Sequence, residues 1–487
     1  MTASPISIVA LSTLDEKWRS TLSGSLLYRI VGAPIAALSR MARNTSENTG
    51  RLGTFLQQCA FLMTFVLCGL LWLPQFAADK EGLAIIALGA LAVWLFGKFL
   101  GGAEERRSSA VDALVLLYLA LNIVAAAASH YFVPSLKGVA KVIVYVSSYF
   151  LFTSIATTPR RRLLLLCALV AGGFAASLYG LYQYKIGVEP LATWEDPTVD
   201  TKTTRIYSTL GNPNLLAGYL LPLIPIAACL NFVVVALRRY FFLLITMPVT
   251  GAILGACVLT GSRGGYVGMA AVFAALGAIV AGWIWIKAPK LRPLIIVALI
   301  AAPILLSTAI NFVPQVEQRI SSIFVGREHS SNSFRMNVWL ASLNMFKDNW
   351  WFGIGPGNQA FRLAYGLYMK SGFDALGTYC VPLEVAVETG ITGLACFALL
   401  VAACLGRAHL IFWSKDAGWE RWIALAAATA LVGLMAHGLV DTVFFRPQVQ
   451  FIFWLVAALT LFKPPAPIHE SSSVSAPPPG VSHPPRV

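Results

Sequence analysis

The feature that most constrains this 487-residue chain is a succession of apolar runs almost free of charge. They lie near 55–74, 82–98, 113–129, 138–156, 163–184, 215–237, 241–261, 265–286, 293–313, 381–405, 422–440 and 448–462. A helix needs about 20 apolar residues to cross a hydrocarbon core of about 30 Å. Helices also satisfy their own backbone polar groups, which lipid cannot do. The expected fold is therefore all-α, a polytopic transmembrane helix bundle of about 12 spans (10–12), the second, third and last runs being short. Only 12% of residues are charged and 57% are hydrophobic, where soluble domains carry about a quarter charged residues. A cytosolic enzyme, a disordered chain and a disulfide scaffold are thereby excluded.

The formal charge of +14 follows the spans. Lys and Arg gather between alternate runs, as in Arg160-Arg161-Arg162 and Lys287, Lys290 and Arg292. The positive-inside rule then places both termini in the cytoplasm. The charge orients the chain and suits anionic lipid, and needs no nucleic acid. Seven of the eight cysteines lie inside apolar runs and read as small hydrophobes, with Cys380 alone at a loop edge. No spacing of Cys and His suggests a metal, and no cofactor is expected. No signal peptide is read before the first span, which would be its own insertion signal. The expected organisation is a cytoplasmic segment over 1–51, a membrane domain over 52–462 and a disordered, Pro- and Ser-rich cytoplasmic tail over 463–487.

Two loops on the outer side stand out. The first, about 185–214, carries Trp194, Glu195 and Asp196, then Arg205, and ends in Asn212-Pro213-Asn214. The second, about 314–380, is long enough to fold. Within it Asn332 to Asn349 has helical spacing on two neighbouring faces, Phe334, Val338, Ala341 and Met345 beside Trp339, Leu343, Phe346 and Trp350. That helix is expected to cap the bundle or lie on the bilayer surface. Gly353, Gly355, Pro356 and Gly357 then force a turn.

Ionisable groups in or beside spans are costly and mark function by default. Glu384 and Glu388 share a helix face, which suits a general acid/base pair or a structural network with loop arginines. Arg263 sits in a Gly-rich turn, where its fork fits a carboxylate or phosphate or caps a helix. Lys141 reads as snorkelling to the outer interface. His437, Asp441 and Arg446 read as a satisfied polar cluster. Asn212-Pro213-Asn214 has the form of a helix start. Arg205, Arg263, Arg335, Arg362, Glu384, Glu388 and Asp441 are all expected at the same outer face, so an anionic substrate such as a pyrophosphate lipid headgroup, an anionic sugar or a small anion is indicated.

The motifs from Arg205-Ile206-Tyr207 to Gly211-Asn212-Pro213-Asn214, then Ser262-Arg263-Gly264, Arg335-Met336-Asn337-Val338-Trp339, Gly353-Ile354-Gly355-Pro356-Gly357-Asn358 and Glu388-Thr389-Gly390-Ile391-Thr392-Gly393 resemble, in order and spacing, those of the O-antigen ligase and polymerase-like superfamily over about 205–395. Leu191-Ala192-Thr193-Trp194, Ser322 to Glu328 and Val381 to Glu388 resemble its cyanobacterial inorganic carbon transporter B branch, named for bicarbonate transport.

The superfamily resemblance implies a metal-independent glycan transferase that uses an undecaprenyl-pyrophosphate carrier at the outer side of the plasma membrane. Arg205, Arg263 and Arg335 would hold the pyrophosphate, with Asn212, Asn214 and Asp441 in the same binding set. The ligases carry a histidine nine residues before the position of Glu388, as the base for the acceptor hydroxyl. Here that residue is Tyr379, and a phenol is a poor base at neutral pH. Ligase chemistry would then recruit Glu384 or Glu388. The branch resemblance implies transport or accumulation of bicarbonate, and a third expectation is a non-catalytic membrane partner of a carbon-uptake or envelope complex.

Overall fold

The computed structural model describes residues 5–26, 28–44, 47–74, 80–101, 108–189, 204–301 and 330–462. Among them the chain is helical: α1 Pro5–Val9, α2 Asp15–Gly24, α3 Ala33–Asn44, α4 Glu47–Leu70, α5 Lys80–Gly101, α6 Ala110–Ala128, α7 Phe132–Ile155, α8 Pro159–Ile186, α9 Pro213–Leu220, α10 Leu223–Ala236, α11 Leu243–Leu259, α12 Arg263–Lys287, α13 Ser330–Asp348, α14 Asn358–Tyr365, α15 Val381–Trp413, α16 Glu420–Gly438 and α17 Pro447–Leu459. Ten segments of the described residues are long and apolar enough to cross a membrane, so the chain is a multi-pass membrane protein. The run near 293–313 is helical to residue 301, and the rest of it lies outside the described residues. So do Leu191 to Trp194, Glu195, Asp196, Ser322 to Glu328 and the tail from Lys463.

Helix ends follow local chemistry. Ser109 and Asp112 close a capping box on α6. Thr158 caps α8, with Pro159 in its first turn and Gly187 in a left-handed conformation at its end. Pro222 separates α9 from α10, and together they form a bent span, Pro213–Ala236.

The last apolar run departs most from its expected place. Every residue of the 13-residue α17 is buried. At about 1.5 Å per residue it is too short to cross a bilayer alone. It instead fills the centre of the bundle against α7 and α16. Trp454 and Phe451 meet Tyr149 and Tyr145 edge-on, each with ring centroids 5.9 Å apart. By contrast α11 and α12 bury only 17% of their apolar windows and form the rim.

Buried ion pairs fasten the end away from the loops. Arg407 grips Asp15 with two bonds of 2.9 and 2.6 Å, and its Nε donates to the Ala10 carbonyl at 2.6 Å. Asp15 also accepts from Ala110 N and Ser109 Oγ. Arg162 pairs with Glu420 and lies 4.4 Å from the Phe462 ring centroid.

Candidate functional site

At the opposite end a loop is wedged into a broken span. Gly390 lies inside α15 with φ 70° and ψ −170°, a conformation that belongs to glycine. The break frees backbone groups, and residues 350–357 take them up. Ile354 N donates to Val387 O at 2.9 Å, Gly355 N to Glu388 O at 3.0 Å, and Ile391 N to Trp350 O at 2.8 Å. Gly357 N donates to the Glu388 carboxylate at 2.8 Å. A Cβ on Gly390 would lie 2.1 Å from Trp351 O, and one on Gly138 2.1 Å from Pro356 O. The two Gly-rich motifs are thus halves of one joint, with Glu388 as its latch.

Next to the joint in sequence, Asn358 and Glu384 help to line a cavity of about 560 Å³. Tyr379, Glu384, Asp441, Asn212 and Asn214 line it together with Lys141, Asn358, Arg362 and Arg446. Glu384 is buried, and its Oε2 accepts from Thr378 N at 2.9 Å and from Thr378 Oγ1 at 3.3 Å. A Cβ on Gly377 would lie 2.7 Å from that oxygen, so glycine makes room for the carboxylate. Glu388, one turn on, reaches a smaller chamber of about 60 Å³ shared with Glu384, Lys141, Asn122 and Gln450.

Tyr379 stands in the left-handed region at φ 55° and meets Phe334 edge-on at 5.7 Å. Burial, and next the Asp441 carboxylate, pushes its phenol above the usual tyrosine value. Arg335 opposes them and Glu384 adds to the rise. The hydroxyl therefore stays protonated at neutral pH and can donate a hydrogen bond. Burial likewise raises the Cys380 thiol, which keeps it protonated and a weak nucleophile.

The three candidate arginines stand behind the cavity wall. Arg205 Nε donates to Thr260 O at 3.0 Å at the end of α11, and its Nη2 donates to Asn214 Oδ1 at 3.1 Å. Asn214 Nδ2 donates to Asp441 Oδ2 at 3.1 Å. Arg335 Nη2 is 3.6 Å from that same carboxylate oxygen. The chain Arg205, Asn214, Asp441, Arg335 thus ties the first outer loop to α13. Arg263 Nη1 donates to Asn332 Oδ1 at 3.0 Å, also on α13. Asn212 caps α9, accepting from Asn214 N at 2.8 Å and Leu215 N at 3.2 Å. His437 is buried where Gly218 and Gly264 leave space for its ring.

The cations that line the cavity are Lys141, Arg362 and Arg446. Lys141 lines both this cavity and the smaller chamber, each together with Glu384. Thr378 and Gly377 carry no signal in the sequence, and Gly357 shows there only as part of a turn, because their contribution is a backbone donor or the absence of a side chain.

Residues 248–398, about a third of the chain, match the family model of O-antigen ligase. This range holds Arg263, Arg335, Tyr379, Glu384, Glu388 and the joint at Gly390. Arg205, Asn214 and Asp441 lie outside it and are joined to it by the Arg205 hydrogen bond to Thr260 O and the Asp441–Arg335 ion pair. Among curated proteins none matches the chain.

Proposed function

We propose that this membrane protein transfers a glycan from a pyrophosphate-linked lipid carrier to an acceptor hydroxyl at the outer side of the membrane. The observation that carries this reading is a cavity of about 560 Å³ in which Glu384 shares the wall with cations from three separate segments. That volume falls in the range of about 300–1,000 Å³ of sites that enclose a sizeable ligand. The similarity of residues 248–398 to O-antigen ligase supports the same reaction class.

In this mechanism both hydrogen bonds from Thr378 fall on Oε2 of Glu384, and Oε1 takes the acceptor proton. The acceptor oxygen forms a bond to the anomeric carbon as the bond from that carbon to the pyrophosphate oxygen breaks. The electron pair leaves on the pyrophosphate, whose growing charge is met by Arg446, Arg362 and Lys141. Arg205 and Arg335 hold Asn214 and Asp441 in place beside it. Tyr379 donates a hydrogen bond and does not act as the base.

Titration of purified protein with undecaprenyl pyrophosphate tests the proposal. Saturable binding is expected, and Arg446→Ala should weaken it about tenfold or more, as expected for loss of a charge-assisted hydrogen bond. Absence of binding would overturn the reading. A second reading, bicarbonate transport, is favoured by Tyr379, which stands where a ligase has its base. It predicts flux of labelled bicarbonate into liposomes that hold only this protein, abolished by Arg446→Ala.

A further inference from the structure

Helix α13 buries one face, through Val338, Ala341 and Met345. Its opposite face is also apolar and is exposed: Met336 at 37%, Leu340 at 57% and Leu343 at 44%, continued by Trp350 at 48% just past the helix end. At 100° per residue these positions fall on one stripe, with Lys347 among them. A soluble cap helix would present polar residues there.

The joint fixes the height of this stripe. Trp350 O accepts from Ile391 N, and Trp351 O from Thr392 Oγ1 at 3.1 Å, so the end of α13 is tied to α15 just beyond its break. From Ile391 to Trp413 that helix runs on without another break. At about 1.5 Å per residue this stretch is long enough to cross the hydrocarbon core by itself. The stacked, exposed pair Trp350 and Trp351, with centroids 4.3 Å apart, then stands at one membrane interface and Trp413 at the other. Indole rings favour these two levels.

We infer that the exposed stripe of α13 docks on the bilayer, with Leu340 and Leu343 against acyl chains and Lys347 at the lipid phosphates. The cap over the cavity is thereby anchored to the leaflet as well as to the bundle. This inference does not depend on the proposed reaction.

A photoreactive diazirine amino acid placed singly at Leu340, Leu343 and Asp374 tests it, using full-length protein in liposomes of phosphatidylethanolamine and phosphatidylglycerol. All three positions are at the surface, so the replacements leave the core intact. Intact-mass spectrometry after irradiation should show phospholipid adducts at Leu340 and Leu343 and essentially none at Asp374. Water addition at Leu340 and Leu343, equal lipid labelling at Asp374, or crosslinks to a second copy in place of lipid would each overturn the inference.

Discussion

Tyr379 shows how much chemistry a single residue decides. Its backbone is held at φ 55°, a region in which histidine is several-fold enriched over most residues. The position therefore accepts an imidazole without new strain. Tyr379→His should raise glycan transfer by about tenfold or more and give the rate a new rise with pH near 6.5, where an imidazole becomes a base. A pH–rate profile of the two proteins checks this, and an unchanged profile would show that the residue lies away from the acceptor. Glu384, Glu388 and Asp441 were legible in sequence because carboxylates at helical spacing beside apolar runs are costly. Which cation each one faces was not legible. Arg205 and Arg335 lie 130 positions apart in number, yet they meet through Asn214 and Asp441, and no local pattern encodes that.

At the scale of elements, the break at Gly390 joins cap to span. The sequence marked Gly353 to Gly357 as a turn and placed Gly390 inside an apolar run, but neither pattern reveals that the turn fills the unpaired backbone groups of a break at Gly390. Gly390→Ala would place a Cβ 2.1 Å from Trp351 O and force a conformation reserved for glycine. A loss of at least about 3 kcal/mol is expected, read as a lower thermal midpoint in detergent with early protease cleavage in residues 350–357. A variant as stable as the parent would mean that the joint is loose. The other end of α15 has its own fastening. Burial raises the Asp15 pKa, but Arg407, Ala110 N and Ser109 outweigh it, so the value stands below the ordinary one. A depressed carboxylate pKa stabilises above the unfolded-state value, near 3.9 for Asp, and the stabilisation fades as pH falls through the folded-state value. Hydrogen exchange around residues 10–15 should therefore stay slow at neutral pH and rise below about pH 4. In Arg407→Gln it should already be fast at pH 7.

For the whole molecule, hydropathy was a sound guide because lipid makes every spanning helix visible as an apolar run. It marked α17 only as a short run and left its place open, since a helix buried wholly in protein and one buried in lipid have the same composition. That central helix, together with α7 and α15, surrounds the cavity, so the cavity's place followed from packing that no single run could disclose. We propose Glu384 as the base of a glycan transfer from a pyrophosphate lipid. The most direct measurement is single-turnover transfer from a labelled undecaprenyl-pyrophosphate glycan by purified protein, compared with Glu384→Gln. The amide keeps the shape and the hydrogen bonds from Thr378 but cannot take a proton. Transfer by the parent is expected, with a rate at least about 100-fold lower in the variant and undiminished carrier binding. Transfer unaffected by the substitution, or none by the parent alongside bicarbonate flux, would contradict it.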